Sequence, residues 1–540
     1  MSILTVADLL LWNRCRRQWV QRCRPEGGER WAAFPEDLIS LANLRETARV
    51  VAVGCRVFGQ DCVDASPPGG VPAAVRVLAT VSEEKTAHEW HDRTMGHISR
   101  GSCFVNGLLL GDGIACTVDL ARYRPRLGGW EFYLLRPGTG PRGVFETEGS
   151  ILSNVIRECG IPVAALHLLY LDKKTRRPDP DTEESWRLFF RESNITGRAE
   201  RGWKALEGEQ RALQDHLEKG DAIAPDYRCR QGCRLCEPPG GPVSDRYDVL
   251  TLHKGRHIGR ELQAKGVFDL RQVDPASCRL TERQIIQIEA LRSGRPYLDR
   301  TRLERFLASL RWPLSFLDFE AYSQSLPPME GLTPYQHAPV IASLHRQGRP
   351  LEDPESHLFV ATPGRDERIS LFAWLVELAG EEGTIVVFSK PFESAMVRQI
   401  ADVSGAAGGG DALVQRMVDL LVPFSEFMIY HPDQRGKVSL KRILPIFTDS
   451  GYDHVDVQDG MHANLTCMRH ADQAVAAGEG IGAIGAEAAE EVTRFLGTRE
   501  LASMEDVARY CAMDTRAMVE LVDALYHLVK GGPEDAAGVG

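Results

Sequence analysis

The sequence predicts an α/β protein with several domains, and three observations lead to this fold class. Short apolar runs such as 313–317 and 384–388 have the length and composition of buried strands. Apolar residues at helical spacing, as in the segment after Asp514, predict helices. The chain has 540 residues, of which 43% are hydrophobic, so it is long enough for roughly three or four domains with cores of their own.

Composition and spacing divide the chain into four segments. We expect a folded region over residues 1–240, a helical connector over 241–310, a second α/β domain over 311–530 and a disordered tail over 531–540. A Pro- and Gly-rich stretch opens the connector. Its glycines also fit a helix-hairpin-helix, in which turn amides contact phosphates. A plain connector and a phosphate-binding one are therefore both open.

Asp318 and Glu320 end the first apolar run of the second domain. Strand alternation places both carboxylates on the same side, where they repel each other unless a cation lies between them. An Asp-x-Glu pattern on its own also fits two acids in a turn at the end of a strand. The metal-binding interpretation therefore depends on further acids elsewhere in the chain.

Such acids follow at two later positions. Glu393 comes after the strand predicted at 384–388 and begins a helix, whereas Asp514 lies on a late helix with Tyr510 one turn earlier on the same face. Oxygen ligands of this kind suit Mg²⁺ or Mn²⁺, and two such ions can stabilise the attacking and the leaving oxygen of a phosphodiester. The predicted ligands are Asp318, Glu320, Glu393 and Asp514, with Asp419 as an additional or replacement ligand.

The ordered set resembles the DnaQ-like (DEDD) 3'-5' exonucleases, which carry Asp-x-Glu on a first strand, an acid at a strand-to-helix junction and Tyr-x3-Asp on a late helix. The resemblance implies a DnaQ/RNase H-like fold, with a mixed sheet flanked by helices, and a two-metal-ion exonuclease of the tyrosine subtype. Tyr510 would then orient the attacking water. The sequence departs from the pattern at Glu393, where these enzymes normally have Asp. A longer carboxylate can still reach a metal.

Basic residues near these motifs are candidates for nucleic-acid binding. The net charge of −11 provides no general attraction for nucleic acid, so binding must come from local patches. Lys437, Lys441 and Arg442 form a patch between the second and the last acidic motif, where a substrate strand would pass. Tyr335 is a candidate for stacking on a terminal nucleotide, although a structural loop explains it equally well.

Three of the thirteen cysteines form a cluster. Cys229, Cys233 and Cys236 lie in a polar, Gly/Pro-rich stretch where core packing cannot explain them. An odd number of cysteines without a secretory signal argues against a disulfide framework. A fourth thiolate is needed for zinc or for an iron–sulfur cluster, and Cys15 is the best candidate. Both metals remain open.

The helix with Cys15, the core that follows and the trailing cysteines resemble the RecB/AddB-type iron–sulfur nucleases. This resemblance implies a PD-(D/E)xK fold and a 4Fe-4S cluster held by the four cysteines. The family's core needs Asp on one strand and Glu-x-Lys on the next. Asp119 fits the first position, but Leu134 and Arg136 stand where Glu and Lys are expected. We therefore expect a RecB-like fold that is catalytically degenerate and that binds or scaffolds.

As a whole, the chain resembles a bacterial family of unknown function that fuses a RecB-like, cysteine-bearing region to a DnaQ-like domain. The resemblance implies a nuclease-like activity without establishing a substrate, and the function we expect is metal-dependent cleavage of DNA or RNA from a 3' end. The alternative is a nucleic-acid-binding or defence-complex subunit with inactive nuclease folds. Protein partners in a defence or repair complex are compatible with either function. No apolar run approaches the ~20 residues of a membrane span and no leader opens the chain, so we expect a cytoplasmic protein.

Overall fold

The computed structural model describes most of the chain: residues 3–16, 19–20, 38–68, 84–219, 246–452, 456–457, 459–495 and 502–530. The described part is mixed α/β, as the sequence predicts. No helix within these ranges combines the length and the apolar character needed to cross a membrane.

The first part of the chain builds a seven-stranded sheet in the order β2-β3-β4-β5-β6-β7, with β1 paired to β4. Its elements are β1 (Leu4–Thr5), α1 (Val6–Arg14), α2 (Leu38–Phe58), β2 (Val63–Asp64), α3 (Glu84–Arg100), β3 (Phe104–Gly111), β4 (Ile114–Arg124), β5 (Gly129–Leu135), α4 (Gly143–Glu158), β6 (Val163–Leu171), α5 (Glu183–Arg187), β7 (Phe190–Asn194) and α6 (Thr196–Lys219).

The predicted connector is helical where it is described. It contains α7 (Arg256–Ala264), α8 (Glu282–Ser293), β8 (Tyr297–Leu298) and α9 (Arg300–Ala308). Thr281 caps α8 through a capping box, which satisfies amide groups at the start of the helix. Gly294 ends α8 with a φ of 66°, a left-handed conformation that glycine adopts without steric cost.

A second, five-stranded sheet has the order β11-β10-β9-β12-β13. Strands β9, β10 and β11 are antiparallel neighbours, while β12 and β13 run parallel to β9. The elements are β9 (Leu314–Tyr322), β10 (Ala338–Gln347), β11 (Glu355–Val360), α10 (Arg368–Ala379), β12 (Thr384–Val387), α11 (Lys390–Val403), α12 (Ala407–Gln415), β13 (Met417–Asp419), α13 (Val422–Ser425), β14 (Ile429–Tyr430), α14 (Leu440–Phe447), α15 (Gly460–Ala476), α16 (Ile481–Phe495) and α17 (Met504–Lys530).

Strand β9 crosses the centre of this sheet, and both of its faces are covered. Leu314 and Phe316 pack in a core that includes residues of α17. Leu317 and Phe319 pack in another core with residues of α10 and α11. Because successive side chains of a strand alternate between faces, the two acids of β9 lie on the face that α17 covers.

The chain forms two compact units, whose boundaries differ from the segments expected from the sequence. The first unit contains Met1–Ala224, Ser323–His337 and Met468–Leu501. The second contains Pro225–Tyr322, Ala338–Cys467 and Ala502–Gly540. Two segments that the sequence placed in the C-terminal domain therefore belong to the first unit.

Buried polar contacts connect these segments to α2 of the first unit. Asp472 accepts hydrogen bonds from Arg45 and Arg49 of α2, each at 2.5 Å, and all three side chains are buried. Gln324, from the other inserted segment, also donates to Asp472, at 3.1 Å. Asp472 is 427 and 423 residues away from its two arginine partners. Local sequence patterns cannot indicate a pairing over that separation.

Candidate metal centre

Three carboxylates of the second unit meet at one point. Asp318 and Glu320 come from β9 and Asp514 from α17, and one oxygen of each lies within 4.8 Å of the others. Opposite oxygen ligands on one Mg²⁺ ion are roughly 4 Å apart, because each metal–oxygen bond is about 2.0–2.1 Å long. The three oxygens are therefore close enough to share a divalent cation after a small inward movement.

Glu393 lies next to this group. It is in the first turn of α11, only 2% of its surface is exposed, and its Oε2 atom has no hydrogen-bond partner. Its charge interacts with Asp318, Glu320 and Asp514. A buried carboxylate oxygen without a partner is costly, and a cation shared with the other three acids would satisfy it. We define Asp318, Glu320, Glu393 and Asp514 as the acidic group.

Burial and mutual repulsion raise the pKa values of the acidic group. Burial and the charge of Asp514 raise the pKa of Asp318 well above its usual range. Burial and the charges of Asp318 and Asp514 likewise raise the pKa of Glu320. The pKa of Glu393 is raised by burial and by the other three carboxylates. Burial raises the pKa of Asp514 to about 6, although hydrogen bonds and a nearby ammonium oppose the shift. Positive charge placed among these carboxylates would therefore favour their ionised forms.

Two phenols and one ammonium border the group. Tyr452 donates a hydrogen bond to Asp514 Oδ1, and Tyr510 interacts electrostatically with Asp514. Lys441, on α14, interacts electrostatically with Asp514 and Glu320. Sequence reasoning identified Tyr510 and Lys441 but missed Tyr452. Its position in an irregular segment after α14 follows no periodicity, so no sequence pattern pointed to it.

A buried polar contact holds α17 against the sheet. Thr515 Oγ1 lies 2.7 Å from Ser343 Oγ and 2.8 Å from His345 Nδ1. Ser343 stands opposite Asp318 in the β9–β10 ladder, and Thr515 directly follows Asp514. This contact therefore fixes the position of Asp514 relative to Asp318. The signal that could have indicated it is the pair of polar residues inside the apolar run of β10.

Asp419, the additional or replacement ligand expected from the sequence, accepts hydrogen bonds from backbone amides next to the acidic group. Its carboxylate accepts hydrogen bonds from the backbone amides of Ser389, Lys390 and Leu421, at 3.1, 2.9 and 2.9 Å. The first two amides belong to the junction between β12 and α11, just before Glu393. Asp419 thus fixes the start of the helix that carries Glu393, and both of its oxygens are engaged in doing so.

Replacing Asp419 with alanine is expected to destabilise the second unit by about 1–3 kcal/mol, because three amides lose their acceptor. Replacing Glu393 with glutamine removes a buried negative charge, so the metal-free protein should gain stability and the affinity for Mn²⁺ should fall. Urea unfolding with EDTA or with Mn²⁺ measures both effects. If Mn²⁺ stabilisation disappears in Asp419→Ala and persists in Glu393→Gln, Asp419 is the third ligand instead.

The other predicted binding residues are spread over the two units. Lys437 is exposed in the loop before α14, and Arg442, on α14, interacts electrostatically with Tyr430. Tyr335 belongs to the first unit, where its hydroxyl donates to the carbonyl of Pro137 at 2.5 Å. Cys15 is buried directly after α1. Cys229, Cys233 and Cys236 lie outside the described residues.

Asp119, on β4 of the first unit, is paired with a cation that the chain itself provides. Its Oδ2 atom accepts hydrogen bonds from Arg136 Nη1 and from the amide of Leu135, both at 2.8 Å. Arg136 also pairs with Glu148 of α4. Burial alone would lower the pKa of Arg136, but Glu148 and Asp119 raise it. Leu134, at 2% exposure, is part of the hydrophobic core and contributes no ligand.

The comparisons with known proteins cover part of this region. Residues 315–439 match the model of a family described as a domain of unknown function (DUF2779). The match includes Asp318, Glu320 and Glu393, whereas Tyr510 and Asp514 lie beyond it. No curated protein and no solved structure matches the chain. Function must therefore be inferred from the chemistry of the acidic group.

Proposed function

We propose that the second unit is a metal-dependent nuclease that removes nucleotides from the 3' end of DNA or RNA, as DnaQ-like exonucleases do. The observation that carries the proposal is the meeting of acids from β9, α11 and α17, of which Glu320 and Glu393 are buried. Each ion buried without compensation costs several kcal/mol. Four carboxylates brought together in this way therefore create a demand for cations.

The ligands favour Mg²⁺ or Mn²⁺, because all four are hard carboxylate oxygens. Two such ions, when bound, stabilise the attacking and the leaving oxygen of a phosphodiester. In this proposal the four carboxylates hold the ions, and the Tyr510 hydroxyl beside Asp514 orients the attacking water. The mixed sheet with flanking helices agrees with the fold that the DnaQ-like resemblance implies, and it supports the proposal.

End-labelled oligonucleotides test the activity directly. Single-stranded and duplex DNA and RNA, each labelled at the 5' end, are incubated with Mg²⁺, Mn²⁺ or EDTA. We expect a ladder of progressively shortened products with either metal and none with EDTA. A phosphorothioate at the last 3' linkage should slow the first step, which fixes the polarity. If all four substrates remain intact with both metals, the proposed activity is wrong.

A binding or scaffolding role is the second candidate function, and we propose it for the first unit as a degenerate RecB-like region. The observation that favours it is the Arg136 guanidinium between Asp119 and Glu148, because a cleaving site would need a metal ion there.

Replacing Asp119 with asparagine is expected to leave the cleavage rate of the full chain within about twofold, since the first unit would contribute no chemistry. A stability loss of about 1–3 kcal/mol should accompany it, because the Arg136 pair is weakened. Measuring both the cleavage rate and urea unfolding separates an effect on activity from an effect on stability. Loss of cleavage in a folded Asp119→Asn protein would instead identify a working nuclease in the first unit.

We also propose that Cys15, Cys229, Cys233 and Cys236 bind one metal centre, a 4Fe-4S cluster or zinc. Protein purified anaerobically should show either broad visible absorbance with stoichiometric iron and sulfide, or about one equivalent of zinc. Cys15→Ser should lose the metal, whereas the matched control Cys103→Ser should keep it. Protein that contains neither metal would contradict the proposal.

A further inference from the structure

Lys441 is held between two aromatic rings beside the acidic group. Its Nζ atom lies 4.4 Å from the ring centroid of Tyr510 and 5.0 Å from that of Tyr452. The two rings are 6.2 Å apart and inclined by 51°. Both distances are within the range of cation–π attraction. The ammonium therefore lies against both rings on the border of the site.

The same phenols connect Lys441 to the acids. The Tyr452 hydroxyl donates a hydrogen bond to Asp514 Oδ1. The Tyr452 ring therefore cannot move away from Lys441 without breaking that hydrogen bond. The ammonium interacts electrostatically with Asp514, Asp459 and Glu320. Lys441 and Tyr452 are both half-buried, so neither side chain is enclosed in the core.

The sum of the charges at the site indicates which kind of ligand this ammonium would contact. The four carboxylates of the acidic group carry four negative charges, and two divalent cations would neutralise them. A phosphodiester then adds one negative charge, which increases as water attacks phosphorus. Lys441 supplies the one positive charge that the balance lacks, and preorganised positive charge near a phosphoryl group stabilises the transition state.

We propose that Lys441 is a catalytic residue that contacts a non-bridging oxygen of the phosphodiester being cleaved, and that Tyr452 is a positioning residue that holds Lys441 and Asp514 in place. This inference rests on the proposed nuclease function. In that reaction the water oxygen forms a bond to phosphorus while the bond from phosphorus to O3' of the preceding nucleotide breaks. Solvent accepts the proton of the water and protonates the leaving oxygen, and Lys441 keeps its own proton throughout.

Four variants test the roles of these residues. Lys441→Met removes the charge, Lys441→Arg retains it, and Tyr452→Phe retains the ring but removes the hydroxyl. Lys530→Met is the matched control, because Lys530 is exposed at the end of α17, about 24 Å along the helix from Asp514 at 1.5 Å per residue. kcat and KM are measured with Mn²⁺, and free Mn²⁺ is followed by electron paramagnetic resonance.

We expect Lys441→Met to lower kcat roughly 100- to 1000-fold, with KM changed less and Mn²⁺ affinity retained. Lys441→Arg should recover part of the rate. Tyr452→Phe should lower kcat about tenfold, and Lys530→Met should behave like the wild type. Wild-type kcat in Lys441→Met would overturn the proposal. Loss of Mn²⁺ binding in that variant would also overturn it, because Lys441 would then only support the acids.

A binding measurement separates this inference from the proposed function. Affinity for thymidine 5'-monophosphate with Mn²⁺, measured by calorimetry, reports the phosphate contact without turnover. Lys441→Met should weaken it roughly 10- to 100-fold, as expected for a charge-assisted hydrogen bond. If the wild type cleaves nothing but Lys441→Met still binds the nucleotide more weakly than the wild type, cleavage is refuted and the phosphate contact is supported. Equal affinities in the two proteins would refute the contact even if the wild type cleaves.

Discussion

Replacing Asp318 with asparagine is expected to lower the cleavage rate at least ~1000-fold, since a neutral amide cannot replace a carboxylate that holds a metal ion in the reaction. The same result is expected for Asp514→Asn. Both side chains are half-buried and their substitutes keep the shape, so folding should be retained. The measurement is the initial rate on a 5'-labelled oligonucleotide with Mg²⁺, together with circular dichroism.

Asp402 provides the matched control for these variants. It is an exposed acid near the end of α11, the helix that carries Glu393, and Asp402→Asn should cleave at the wild-type rate. If Asp318→Asn or Asp514→Asn retains full activity while properly folded, the acidic group is not the catalytic site.

The second large effect concerns stability in the absence of metal. The folded-state pKa values in the acidic group are raised above those of the unfolded chain. The stability that protonation provides is therefore complete below about pH 4, the unfolded pKa, and is lost as the pH rises through the folded values. For Asp514 the folded pKa is about 6, so this residue alone should account for a loss of roughly 3 kcal/mol by pH 8, at about 1.4 kcal/mol per pKa unit.

Thermal unfolding in EDTA between pH 4.5 and 8 measures this loss. Mn²⁺ at 100 times its dissociation constant should restore about 2.7 kcal/mol at pH 8. Asp318→Asn should be more stable than the wild type in EDTA at pH 8, because one repelling charge is gone, and it should respond much less to Mn²⁺. A wild-type melting temperature that is the same in EDTA and Mn²⁺ at pH 8 would contradict this linkage.

The residues that could be predicted are those on regular elements with a clear period. The two-residue alternation of β9 placed Asp318 and Glu320 on one face, and the four-residue spacing on α17 placed Tyr510 beside Asp514. Both placements agree with the structure. Glu393 followed from the apolar strand before it, which ends one residue earlier than expected.

The rest depends on contacts that leave no local pattern. Tyr452 reaches Asp514 from an irregular segment 62 residues earlier. Asp419 serves backbone amides at a strand-to-helix junction, and the sequence alone does not distinguish that task from metal binding. Likewise, buried polar contacts of Asp472 connect the segments 323–337 and 468–501 to each other and to α2 of the first unit. In the sequence, Asp472 is an isolated acid in a helical pattern and cannot be distinguished from a solvent-exposed one.

The most direct test of the central claim is to count Mn²⁺ ions bound by the second unit's acidic group, by electron paramagnetic resonance of the full chain with thymidine 5'-monophosphate present. The wild type should bind about two Mn²⁺ ions, and Asp318→Asn, Glu320→Gln and Asp514→Asn should each lose at least one. Asp402→Asn should bind as many ions as the wild type. The same Mn²⁺ count in Asp318→Asn and the wild type, or no bound Mn²⁺ in either, would contradict the claim that these carboxylates form a metal centre.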